Sequence, residues 1–101
     1  MPRRHLYWIE NETDYDGIRA VVGANFDFAE NYAAWLFSAT KKVVDMERCG
    51  WRVEKVPVHP KEFIRYCDRR GLKREVANLA AFAIAKAHGQ DKVSTIVGFA
   101  G

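Results

Sequence analysis

The sequence predicts an α+β fold, a three-stranded, mainly antiparallel sheet packed against four helices in the order β-α-α-β-α-α-β, and three observations carry that expectation. Three short segments, HLYWIE, WRVEKVPV and KVSTIVGF, are rich in aromatic and β-branched residues. The stretches between them repeat apolar residues with helical spacing. Glycines at 23, 50, 71 and 89 stand where those helices should end. Three strands are too few for a doubly wound sheet.

Each element follows in turn. His5 to Glu10 reads as strand one and stops at an Asn/Glu/Thr/Asp cluster. Thr13 and Asp16 have capping-box spacing, which predicts a helix from Asp14 to about Val22. The second helix takes Asp27 as its cap and runs through Phe28, Tyr32, Trp35, Leu36, Ala39, Val43 and Met46 toward Gly50. Phe37 and Val44, seven apart, fall near the edge of its polar arc, so this helix is expected to bury more than one flank. Self-association through those two residues, as a homodimer, is the corresponding expectation. Trp51 to Val58 alternates as a strand, with Pro57 pointing to an edge or bulge. Pro60 suits the first turn of a helix capped by His59 and ended by Gly71. The fourth helix, from about Lys73 to His88, is Ala-rich and apolar around most of its circumference, which predicts a central packed helix. Lys92 to Phe99 is the third expected strand.

With 101 residues, about half of them apolar, the chain is expected to form a single domain over 1–101. Its formal charge of +3 is unevenly spread: residues 1–30 carry three basic and six acidic side chains, the remainder thirteen and seven. Two cysteines and no leading apolar run of signal length predict a reducing, cytoplasmic setting with free thiols. No apolar stretch approaches the roughly 18 residues that would suggest a membrane span. No metal and no cofactor are expected, because the three histidines stand apart from the cysteines and no Gly-rich phosphate cradle occurs.

The stretch from Lys61 to Arg74 comes nearest to naming a partner. It holds Lys61, Arg65, Arg69, Arg70, Lys73 and Arg74 against two acids, Glu62 and Asp68. On a helix Lys61, Arg65 and Arg69 form one stripe while Phe63, Ile64 and Cys67 turn the other way. Such a ridge can neutralise neighbouring anionic groups together. The plainer reading has Arg69 and Arg70 complementing the C-terminus of their own helix. The expected function is a non-catalytic binding or regulatory module that meets an acidic protein partner through this basic face.

Nucleic-acid binding by the same cations is the alternative. The strand, Pro-led helix, Gly turn and second helix from Arg52 to Ala87, with RGLKRE at Arg70–Glu75, resemble a ribbon-helix-helix unit over about a third of the chain. The resemblance implies that Arg52, Glu54 and Val56 or their alternates face a DNA groove from a two-stranded ribbon. The chain departs from that pattern, with fifty residues before the strand and only ten between Pro60 and Gly71. A helix-turn-helix reading offers Ala, Leu and Phe where base edges need Arg, Asn or Gln.

Other motifs carry less. Glu12, Asp14, Asp16 and Gly17 open like a calcium loop, but the closing glutamate is missing at Gly23, and capping explains the same acids. Cys67 follows Phe63 by four on the apolar side, which predicts a buried, inert thiol. A small enzyme, the second alternative, would need His59 or Cys67 gathered with carboxylates such as Glu54 and Glu62.

Overall fold

A computed structural model describes residues 2–23 and 28–89. The elements are β1 (Arg3–Trp8), α1 (Glu12–Val22), α2 (Tyr32–Arg48), β2 (Arg52–Pro57), α3 (Pro60–Arg70) and α4 (Val76–Ala87). Among the described residues the sheet has two strands, β1 and β2, and they run parallel. This overturns the expected three-stranded, mainly antiparallel sheet. The predicted strand Lys92–Phe99 lies outside the described residues.

The parallel pairing has a physical origin in the connection. A parallel pair needs a long crossover, and α1 with α2 supplies it. Counting two helices as one down and one up predicts antiparallel strands. In the structure α1 touches both α3 and α2, and the strands that this connection joins are parallel. The turn into β2 is closed by Trp51 N–H donating to the Met46 carbonyl at 3.1 Å.

The first two helices start at asparagine caps rather than at the spacings that suggested them, while α3 starts at Pro60 with no side-chain bond from His59 to its first turn. Asn11, not Thr13, caps α1, its Oδ1 accepting from Asp14 N–H at 2.8 Å. Asn31 does the same for α2, accepting from Ala34 N–H at 2.9 Å, while Phe28 enters the core. The predicted cap Asp27 lies outside the described residues. α4 starts at Val76 with Glu75 as its N-cap, so Lys73 and Arg74 lie in the turn before the helix rather than within it. There the Lys73 carbonyl accepts from Glu75 N–H and from Asn78 Nδ2.

The register pairs Arg4 with Val53, Leu6 with Lys55 and Trp8 with Pro57 on one face, and Arg3 with Arg52, His5 with Glu54 and Tyr7 with Val56 on the other. α2 lies over the first face through Trp35, whose ring is 5.3 Å from that of Trp8. α4 lies over the second, where His88 meets His5 at 5.3 Å and Glu54 holds both Arg3 and His5. The core joins Ile9, Val56, Val58, Phe63, Leu79 and Phe82 to an aromatic cluster of Tyr15, Phe28 and Trp35. Burial of each such side chain is worth about 1.5–3 kcal/mol, and the ring pairings add to it. The polar ends are satisfied: Tyr32 donates its hydroxyl to the Ile9 carbonyl at 2.9 Å and Tyr15 donates to the Ala29 carbonyl.

Two polar fastenings set α3. Lys86 of α4, largely buried, donates to the Pro57 carbonyl at 2.7 Å and to Glu62 at 2.8 Å, tying α4 to the end of β2 and to α3. At the other side α1 and α3 touch closely, since a Cβ on Gly17 would stand 2.5 Å from Pro60 Cγ. Replacing Gly17 by Ala sets a helix-propensity gain of about 1 kcal/mol against an overlap costing about 1–3 kcal/mol. Gly17→Ala is therefore expected to lower the urea midpoint, and adding Pro60→Ala, which removes the Cγ at 2.5 Å and keeps the Cβ at 3.2 Å, should shrink the penalty of the alanine. A rise in midpoint for Gly17→Ala alone would contradict this packing.

Candidate functional site

α3 presents the basic face that the sequence suggests, but only part of it remains available. Its apolar side buries Phe63, Tyr66 and Cys67. That side fixes the opposite one, and Lys61, Arg65 and Arg69 stand exposed along it. Gly71 ends the helix in the left-handed region at φ 63°, and Leu72 N–H donates to the Cys67 carbonyl at 2.9 Å, a Schellman closure.

The six predicted cations then divide. Arg74 binds Asp68 at 3.1 Å and Arg70 lies over the Tyr66 ring at 4.5 Å. Arg69 is also engaged. Lys61, Arg65 and Lys73 make no ion pair among the described residues. Glu62, the acid nearest Lys61 in sequence, is drawn toward Lys86. Lys61, Ile64, Arg65, Asp68 and Arg69 line an open depression of about 510 Å³, a shallow dish with an apolar floor at Ile64 and cations on its rim.

The second concave feature was not anticipated from the sequence. A more enclosed groove of about 570 Å³ is lined by Arg4, His5, Leu6, Tyr7 and Trp8 together with side chains of α2 and α4. Alternate strand residues point to opposite faces, so five consecutive residues can line one groove only along the edge of β1. Nothing in the sequence of Arg3–Trp8 distinguishes an edge from an interior strand, and the walls come from residues more than twenty-five positions away.

The remaining candidates are placed as follows. Phe37 is 74 % exposed and Val44 39 % exposed. They lie opposite the buried Trp35 and Val43, so within one chain α2 buries one flank and carries these two outward. His59 Nδ1 lies 2.8 Å from Asp14 Oδ2, joining the first turns of α1 and α3. Neither Glu54 nor Glu62 reaches it, each being taken by cations elsewhere. Cys67 is fully buried, its Sγ near the Lys73 carbonyl, and burial pushes its thiol pKa up, which suppresses the thiolate. Asp14, of the calcium-like run, is spent on His59 and on the Asn11 cap. Among the described residues no three His, Cys, Asp or Glu side chains converge as metal ligands, and no helix is long and apolar enough to cross a membrane.

The resemblance to a ribbon-helix-helix unit meets a different arrangement. β2 pairs in parallel with β1 of the same chain, Val56 is buried, and Glu54 is held by Arg3 and His5. No protein-family model matches the chain, and neither a curated protein nor a solved structure matches it.

Proposed function

We propose that the protein is a non-catalytic binding module that meets an acidic surface of a protein partner through α3, in a reducing compartment such as the cytoplasm. The observation that carries this reading is that Lys61 and Arg65, one turn apart beside Ile64, pair with no carboxylate among the described residues, Asp68 of the same dish being held by Arg74. Charges left unpaired beside a small apolar surface favour a partner of opposite sign, and they add more to selectivity and association rate than to affinity.

Magnitudes favour a protein over nucleic acid as that partner. Three unpaired cations neutralising three phosphates would cost duplex DNA only ~40-fold in affinity between ~50 and ~200 mM salt, where six would cost over a thousandfold. A site this small holds a nucleic-acid backbone weakly. A cluster of two or three carboxylates on a folded surface matches it in size.

Lys61→Glu with Arg65→Glu should weaken binding of a poly-glutamate chain at least ~10-fold at low salt while leaving the thermal midpoint within a few degrees, since both side chains are exposed. Titration of the parent with poly-glutamate and, separately, with duplex DNA is the check. Tighter binding to the duplex, or equal binding by parent and variant, would refute the reading.

We further propose self-association through Phe37 and Val44, supported by a phenylalanine held outward on a helix whose opposite side is buried. In sedimentation equilibrium the parent should approach twice 11.6 kDa with rising concentration. Phe37→Glu should stay monomeric, and a monomeric parent would dismiss the idea.

A further inference from the structure

We propose that the groove along the outer edge of β1 is a separate binding site, which takes an extended apolar segment of a partner protein bearing a carboxylate and lays it against β1 as an added strand. This inference does not rest on the α3 face, with which the groove shares no residue.

The main chain supplies the first argument. Arg52 N–H donates to the Pro2 carbonyl and Val58 N–H to the Trp8 carbonyl, so the even-numbered residues of β1 turn their backbone groups toward β2. By strand alternation the N–H and C=O of His5 turn the other way, into the groove. Its side chain does not follow them, being held by Glu54 and packed on His88. Among the described residues no strand pairs with this edge, and an edge with backbone groups beside apolar side chains is the arrangement by which sheets accept a peptide strand.

Dimensions and chemistry select the occupant. Five strand residues span roughly 15 Å, so the groove matches an extended segment of similar length rather than a compact small molecule. Trp35 and Ala39 of α2 form one wall and Ala80 and Ile84 of α4 the other. These suit the alternating side chains of a strand. Ile84 is 47 % exposed although its wall is apolar, leaving surface for a partner to cover. The charged residues lining the groove, Arg4 and Lys42, are cations, and no carboxylate lines it among the described residues. A second copy of β1 (RRHLYW) carries no acid and would bring further arginines to these cations. The complement is therefore an acidic segment from another protein.

The test uses the full-length ¹⁵N-labelled chain and a synthetic peptide of about ten residues, alternating Val and Thr with two glutamates, alongside a Glu→Gln version and one N-methylated on alternate amides. The glutamate peptide should shift the His5 amide resonance and slow its hydrogen exchange at least ~10-fold. The glutamine peptide should bind at least ~10-fold more weakly, and the N-methylated one should not bind. Ile84→Arg, at an exposed position that the fold tolerates, should weaken binding by a similar factor. The Lys61→Glu, Arg65→Glu chain should bind as the parent does, which separates this site from the α3 face. Binding that ignores Ile84→Arg overturns the proposal. So does an absence of binding, whether the His5 amide is already protected in the free monomer, protected only where the chain self-associates, or open throughout.

Discussion

Two parallel strands expose both faces of a narrow ribbon, and such a ribbon does not persist in water unless each face is covered by something apolar. The pairing of Arg3–Trp8 with Arg52–Pro57 therefore dictates where the helices must lie. α2 packs on Trp8 through Trp35, which also stacks on Tyr7, and α4 packs on β1 and β2 from the side where His88 meets His5. α1 and α3 close the end at which Ile9 and Val58 leave the strands, locked together where Pro60 meets Gly17 and where His59 meets Asp14. Lys86 then joins α4 to α3 and to the last residue of β2.

That constraint also shapes the surface. Because α3 must turn Phe63, Tyr66 and Cys67 inward, its cations are carried outward, and because Glu62 is recruited by Lys86, the acid that could have quenched Lys61 is drawn away. Because the two covering helices splay beyond a two-stranded sheet, they wall a groove along the outer edge of β1. Both concave features are by-products of how the core is closed. The ligand chemistry proposed for each follows from the charges that this closure leaves unmatched among the described residues.

Much of the fold was legible residue by residue. Pro60 and Gly71 bracket α3 as read, for the proline needs no N–H partner in a first turn and the glycine adopts positive φ. The strand at Trp51–Val58 and the buried state of Cys67 follow from composition and spacing, whereas α4, expected to be packed around most of its circumference, buries Leu79, Phe82, Ala83 and Ala85 and leaves Ala77, Ala80, Ala81 and Ile84 exposed. Strand direction was not legible, because it depends on how the connecting helices are placed by distant contacts, such as the close approach of Gly17 in α1 to Pro60 some forty residues on. For the second flank of α2, periodicity marks Phe37 and Val44 as apolar but does not say what covers them, and within one chain they stand exposed. Of the candidate site, the alignment of Lys61 and Arg65 was legible and the pairing of Arg74 with Asp68 was not, since that bond spans the turn after Gly71. The edge groove left no trace in sequence, being assembled from three elements.

The parallel register is the claim on which the rest stands, and nuclear Overhauser contacts between the strands test it most directly. In the uniformly labelled chain, contacts should join Arg4 with Val53, Leu6 with Lys55 and Trp8 with Pro57, the residue numbers rising together along both strands. Contacts whose numbers rise on one strand while falling on the other would make the pair antiparallel, and the placement of α2, α4 and the groove would fall with it.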